Sequence, residues 1–489
     1  MRALPVILAA VVVFAGVGHA ATYGPPAPAT PGDAVTPDQS PAPSPDTAAA
    51  PAPFPTPDRP TLRSGATAAA TETSDSARNV SGSPNVTRVL ALPSNAVDAT
   101  ELTSVRIDAG SATAWRVDAG AVRLETLAVR ERVAGTDGAA ARAAAIRSAT
   151  DELGNRTAEL RQRQAALIAA FNAGRIDERT FLTGLASVDR TAELLHDRSD
   201  YLGSVAESSL PSGAPTSTEL SRLDAELTTF DSPIRERVAA ALAGEIGPIR
   251  VYVATTDKGL ALSTLRDGTY VREVYRGFLW EEGTPGLTGA AAANVTARSY
   301  PEIWAARNGT SGEGSNETFT LTVDYPGGVL ETSVRGGVGR VFREVQRLDL
   351  DRYPARETKS EVLNNLRMEV TRTFPGGPLR VTVTDNTTGE PVNASVLVNT
   401  IGANRVTRLG TTGDDGVLWA LGPSNQGGYA ITAVDQNDGA VIVSTTPLRP
   451  VTVGDALRSQ SVAPPARRVA SPTRSRSTGD WSVDDRVRL

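Results

Sequence analysis

The sequence predicts a multidomain chain. An antiparallel, coiled-coil-like α-helical hairpin, an α+β domain and a small β-sandwich are expected between a disordered N-terminal stalk and a disordered C-terminal tail. Three observations predict this. Apolar residues recur seven apart across residues 137–207, the period of helices that pack along a seam. Between 217 and 372 the pattern becomes short alternating runs bounded by Gly and Asp turns, and from 373 to 450 it reads as strand throughout. Across 21–84 and 451–489 large apolar residues are sparse, and such chain cannot bury enough surface to fold. The expected boundaries are 1–20 for a leader, 21–84 for the stalk, 85–210 for a lead-in plus the hairpin, 217–372 for the α+β domain, 373–450 for the sandwich and 451–489 for the tail.

The leader comes first. Met1 and Arg2 precede an apolar run from Leu4 to Val17, then Gly18, His19, Ala20 and Ala21. One positive charge, an apolar core and a small-residue cut at Ala20/Ala21 make a secretory signal peptide. The alternative is an uncleaved anchor: Ala3 to Ala21 would measure about 28 Å as a helix, against roughly 30 Å of bilayer core. Gly16, Gly18 and the small residues that follow favour cleavage. Either way the remainder is expected outside the cytoplasm, at the cell surface or secreted. From Ala21 to Pro84 the chain holds 14 of its 33 prolines, a density that forbids helix and sheet and favours extended chain. Eight Asn-x-Ser/Thr sequons occur, at Asn79, Asn85, Asn155, Asn294, Asn308, Asn316, Asn386 and Asn393. With 16 Asn and 88 Ser plus Thr in 489 residues, about three would be expected by chance. The excess fits an exported glycoprotein.

In the hairpin, Ile146, Leu153, Leu160 and Leu167 fall seven apart and Phe171 closes the stripe. Phe181, Val188, Leu195 and Leu202 repeat the spacing, with Leu185 and Ala192 on the same face. Gly174 can end the first helix in a left-handed conformation and Asp177 can cap the second. Upstream, Val89–Pro93 and Val105–Trp115 read as a short ordered lead-in. His196 lies on the flank of the second stripe and reads as a partly exposed helix histidine. In 217–372 a helix is expected from Ser217, restarting at Ser232-Pro233. Strands follow at 249–255, 260–265 and 270–275, then a helical stretch over 288–307 interrupted at Pro301, then strands at 318–324, 329–334 and 340–348. Leu262–Thr264 matches Leu330–Thr332, and Arg272–Val274 matches Arg343–Val345 at a spacing of 71. Two readings stand: a duplicated helix-plus-three-strand unit, or the chance likeness of two β-meanders.

Residues 379–385, 394–398 and 429–433 alternate as strands, separated by turns such as Thr388–Val392 and Thr411–Val417. Val381, Val383, Val396, Val398, Trp419, Ile431 and Val441 are the expected two-sheet core, with Phe374–Pro378 as a linker. This order resembles the carboxypeptidase-regulatory-like (transthyretin-like) β-sandwich, and the resemblance implies an accessory module without catalytic residues. The whole arrangement is similar to uncharacterised exported proteins of halophilic archaea, known only as domains of unknown function.

Composition excludes much chemistry. There is no cysteine, so thiolate metal sites, disulfides and cysteine nucleophiles are out. Only two histidines occur, one of them His19 in the leader, too few for a polyhistidine metal site. The net charge of −6 argues against nucleic acid as a partner. All basic residues except Lys258 and Lys359 are arginine. A high-GC genome gives that bias; so does work in strong salt, which the excess of acids favours. No catalytic, cofactor-binding or metal motif stands out. Glu281 and Glu282 beside Trp280 could form a sugar-binding or acid/base pair but read better as a solvated turn. Asp414–Gly416 and Asp435–Gly439 depart from calcium-loop spacing and fall where hairpin turns belong. The tail carries 7 Arg and 4 Asp over residues 451–489, suited to acidic contacts or to plain solvation. The expected function is therefore a non-enzymatic envelope or secreted protein that contacts other surface proteins or glycans, without cofactor, touching membrane only if the N-terminal helix is retained. The alternative is an extracytoplasmic hydrolase, or its accessory subunit, with a carboxylate site in 217–372.

Overall fold

A computed structural model describes residues 88–93, 97–211, 213–281, 283–353, 357–400, 406–423, 427–435 and 439–453. The leader, the stalk and the tail beyond 453 lie outside the described residues, as do Asn79, Asn85 and Glu282. No described helix is long and apolar enough to cross a membrane.

The chain opens with β1 (Ala99–Val105) and three long helices, α1 (Ala109–Ala134), α2 (Ala139–Asn172) and α3 (Glu178–Ser209). α1 stands where a short lead-in was expected. Asp108 starts it by accepting from the amides of Gly110 and Ser111, both at 3.1 Å. Its inward residues Thr126, Val129 and Val133 are buried, but Val117, Leu124 and Leu127 on its outward side are apolar too. An apolar residue on each face blurs the periodicity that marks a helix. Between α2 and α3 the chain reverses at Gly174 (φ +64°), and Asp177 Oδ1 accepts from Thr180 N at 2.8 Å. The reversal stacks Phe171 on Phe181 with ring centroids 4.7 Å apart. Ile146, Leu153, Leu160, Val188, Leu195 and Leu202 share one buried cluster. The seven-residue stripe drifts at its end: Leu167 is half-buried and Ile168 takes the buried place. A straight α-helix turns by about 20° per heptad against a strict 3.5 repeat, which rotates Leu167 off the seam.

Two shorter helices follow, α4 (Pro215–Leu227) and α5 (Pro233–Ala243), each with proline in its first turn. Then come β2 (Ile249–Thr256), β3 (Gly259–Arg266), β4 (Thr269–Arg276), α6 (Gly277–Glu281), α7 (Gly289–Ser299) and α8 (Pro301–Ala306). The second group of strands is β5 (Gly309–Gly314), β6 (Thr318–Tyr325), β7 (Gly328–Arg335) and β8 (Val341–Asp349). All eight strands join one antiparallel sheet in the order β1-β2-β3-β4-β8-β7-β6-β5. One face carries Val251, Val253, Leu262 and Val271, which pack on α5 and on the Phe171–Phe181 end of the helices. The other face carries Tyr252, Ala261, Val274, Leu321 and Leu330, packed on α7, α8 and the segments at 88–92 and 453.

The sheet geometry constrains how the two stretches of the 71-residue match can be related. β4 and β8 meet at the centre with Glu273 opposite Val345 and Val274 opposite Glu344. Opposed residues share a face and neighbours in a strand alternate, so the matched pair Glu273 and Glu344 lies on opposite faces. α5 and α7 also cover opposite faces. A two-fold axis through the β4–β8 seam would preserve faces, so the halves are not related as copies about that axis.

The sandwich begins earlier than expected. β9 (Glu357–Leu363) and β10 (Leu366–Arg372), assigned from sequence to the α+β domain, join β11 (Pro378–Asp385) and β14 (Val417–Leu421) in a sheet of order β14-β11-β10-β9. Asn364 and Asn365 turn the β9–β10 hairpin at φ +51° and +64°, the left-handed pair that a tight two-residue turn demands. The facing sheet is β13 (Val406–Thr411), β12 (Ser395–Thr400), β15 (Tyr429–Asp435) and β16 (Gly439–Thr445), in that order. Met368, Val370, Val381, Val383, Val396, Val398, Ile431 and Val441 fill the space between the sheets.

Phe374–Pro378 is not a free linker. Gly376 O accepts from Ser263 Oγ at 2.6 Å and from Tyr270 OH at 3.1 Å. Gly376 has φ +71°, and a Cβ there would lie 2.4 Å from the Tyr252 ring, so only glycine fits. Arg250 donates to Leu409 O at 2.9 Å. Trp419, expected in the sandwich core, is half-buried against the main-sheet cluster. Its strand presents the ring to the neighbouring body because Leu418 and Ala420 take the core side.

Candidate functional site

Charge is concentrated at the centre of the molecule, on both faces of the β4–β8 seam. On the helix side Glu273 is 0 % exposed and pairs with Arg235, which is 1 % exposed, at 2.7 Å. Ser232 Oγ donates to the other Glu273 oxygen, and Arg235 Nη1 donates to Gln164 Oε1 at 2.9 Å. Ser232 N donates to Asp189 Oδ1 at 2.7 Å. Burial pushes the Asp189 carboxyl up to about 8, with Arg235 and the Ser232 amide pulling the other way. Arg343 donates to Glu331 and to Asp231 O.

On the opposite face Glu344, also fully buried, accepts from Arg272 Nη1, Tyr300 OH and Leu90 N, each at 2.6 Å. Gln346 Nε2 donates to Arg88 O at 2.7 Å, and Arg276 Nε to Ala91 O at 3.0 Å. These groups clamp the segment entering the body. Val89 in turn bridges Thr452 in parallel, and Val453 N donates to Val89 O at 3.1 Å. Residues 88–92 and 451–453 therefore run side by side.

A third cluster lies between α2, α4 and the sheet. The guanidinium of Arg335 sits 3.9 Å from the centroid of the buried Trp280 ring and that of Arg161 sits 5.0 Å away. Arg161 and Arg222 both pair with the buried Glu226, and Arg335 pairs with Glu317. Burial lowers the pKa of Arg161 and of Arg335; the aromatic face and the carboxylates compensate the charge they bring.

The residues singled out from sequence are not assembled together. His196 is partly exposed, as expected, but has two carboxylate neighbours that no spacing announced: Nδ1 is 2.9 Å from Asp224 Oδ1 and Nε2 is 3.6 Å from Asp231 Oδ2. Burial alone would lower its pKa; Asp224 and Asp231 outweigh it and push the imidazole up to about 10. Glu281 is exposed and bound to Lys258 at 2.8 Å. Asp415 sits in a turn where its Oδ1 accepts from Val417 N at 3.0 Å. Asp414 is exposed, and 436–438 lie outside the described residues. Among the described residues no group of three or more Asp, Glu or His is arranged to hold a metal ion. The six described sequon asparagines, Asn155, Asn294, Asn308, Asn316, Asn386 and Asn393, are all exposed.

Among the described residues, exposed large apolar side chains include Ile107 before α1 and groups on α1 and on the sandwich. On α1, Val117, Leu124 and Leu127 are 66, 69 and 58 % exposed and lie on one side of the helix, opposite the buried Val129 and Val133. On the sandwich, Val362, Leu363, Val406 and Ile442 are exposed.

Three family models match. One described as "Domain of unknown function (DUF7096)" covers residues 1–246, one described as "Family of unknown function (DUF7094)" covers 251–354, and one described as "Archaeal fibronectin-III type-like domain" covers 357–442. The last of these starts at the first residue of β9. No curated protein and no solved structure matches the chain.

Proposed function

We propose that this chain, which belongs to the DUF7096 family, is a non-enzymatic exported protein of the cell envelope that presents interaction surfaces to other surface proteins or glycans. The observation that carries this reading is the outward stripe of α1. A helix of 26 residues that buries one apolar face and leaves Val117, Leu124 and Leu127 in water is stable in the fold and still has surface to bury against a partner. In this reading α2 and α3 form a coiled-coil-like hairpin that holds α1 out, and the sandwich, which the archaeal fibronectin-III type-like model covers where a transthyretin-like module was expected, is the second module.

The inner charges support the same view. Glu226, Glu273 and Glu344 are each paired with a guanidinium, contacts that tie neighbouring elements of the body together. The sequon excess and the exposure of every described sequon asparagine agree with export. The strong-salt environment stays part of the proposal, from the arginine-only cations and the acidic balance.

The test is capture of the full chain after cross-linking on intact cells. Envelope proteins or surface glycans should be recovered, and recovery should fall several-fold when Leu124 and Leu127 are both replaced by Asp. Recovery of cytoplasmic proteins alone would refute the reading.

A further inference from the structure

The six described sequons are equal in sequence and unequal in the fold, and the difference selects modification sites. A transferase must hold the acceptor asparagine and the hydroxyl two residues on at the same time, so a folded chain can offer a sequon only where neither of them nor the residue between is locked in the interior. Four sequons fail that condition. Thr157, after Asn155, is 0 % exposed and donates to Leu153 O at 2.9 Å. Thr296, after Asn294, is 0 % exposed and bonded to Thr332 at 2.8 Å. Thr318, after Asn316, is buried and accepts from Arg335. Ala394, after Asn393, is 0 % exposed, with its amide bound to Thr412 Oγ1 at 2.8 Å.

Two sequons meet it. Asn386, Thr387 and Thr388 are all exposed in the turn after β11. Asn386 Oδ1 accepts from Arg367 at 3.0 Å, which orients the amide. Asn308 and Thr310 are exposed at the start of β5, a strand paired on one side only, so it can bend away without breaking a second ladder. Resting on the export reading above, we infer that Asn308 and Asn386 are the N-glycosylation sites of the folded domain, and that Asn155, Asn294, Asn316 and Asn393 stay bare. In the transfer, Asn Nδ2 bonds to the anomeric carbon of a sugar carried on a lipid phosphate. The carbon–oxygen bond to that phosphate breaks, the lipid phosphate leaves with the electron pair, and the amide proton passes to a base of the transferase. A glycan on Asn308 would stand at the open edge of the sheet, where β5 contributes mainly Gly, Ser and Thr and a single charge to discourage edge pairing.

The experiment is peptide mass spectrometry of the chain purified from its native cells, with protease accessibility measured on the same intact cells. Glycan mass should occur on Asn308 and Asn386, and Asn308→Gln and Asn386→Gln should each remove one glycan while Asn155→Gln removes none. Glycan on Asn155, Asn294, Asn316 or Asn393 would overturn the inference, because the chain would then be modified before folding. Bare asparagines on a surface-accessible chain would overturn it and leave export standing. Bare asparagines on a chain protected inside the cell would overturn both.

Discussion

Replacing Arg235 by Met tests the buried charge that joins helices to sheet. Arg235 and Glu273 lie 2.7 Å apart at 1 and 0 % exposure, so neither charge has water to fall back on. Without the guanidinium, Glu273 keeps the Ser232 hydroxyl as its remaining side-chain donor, and Gln164 Oε1 loses the bond it accepts from Arg235. Breaking a buried pair from one side costs about 3–5 kcal/mol. At about 2–4 °C per kcal/mol for a body of some 250 residues, the melting midpoint should fall by about 6–20 °C. Removing both charges is a different perturbation, since two apolar side chains of similar volume need no partner. Arg235→Met combined with Glu273→Leu should therefore recover most of the loss, leaving about 1–2 kcal/mol. Thermal and urea unfolding of the full chain, followed by circular dichroism, measures all three variants. A single substitution costing less than about 1 kcal/mol, or a double variant as costly as the sum of the singles, would refute the pairing.

Three other outcomes are expected. Leu195→Asp places a charge in a seam where Leu195 is fully buried and should cost several kcal/mol; unchanged helicity by circular dichroism would mean α2 and α3 do not depend on that contact. His196 has a folded pKa of about 10, above its unfolded value near 6.5, so its pairing adds stability that is fully present below about pH 6.5 and lost as pH rises towards 10. His196→Gln should flatten that part of the urea-midpoint profile, and identical profiles for variant and parent would contradict the Asp224–His196–Asp231 arrangement. Trp419→Ala should loosen the seat of the sandwich while sparing its core, read as several-fold faster proteolytic cleavage at Phe374–Pro378; loss of the sandwich itself would put the ring back in its core.

Much of the fold is legible because its signals are local. Period-two runs and Gly or Asp turns located β2, β3, β4, β6, β7 and β8 within a residue or two, and Ser232-Pro233 marked the start of α5. Three departures have separate causes. α1 was obscured by apolar residues on both of its sides. β9, with Glu357, Lys359 and Glu361 among its exposed residues, carries no alternation because it is an edge strand, whereas β10 alternates at Leu366, Met368 and Val370 but nothing in that alternation says which sheet the strand joins. Trp419 was assigned inward because alternation fixes which residues share a face and leaves open what each face meets. Among site features, the exposed sequons were readable and the charge pairs were not. Arg272 and Glu344 come together only through the pairing of β4 with β8, and His196 meets Asp224 and Asp231 only through the packing of α3 on α4.

The claim that the domains work outside the cytoplasm is tested most directly by protease treatment of intact native cells, probed with an antibody to residues 357–453. The signal should disappear from intact cells while a cytoplasmic marker protein survives. A signal that persists until the cells are lysed would contradict it.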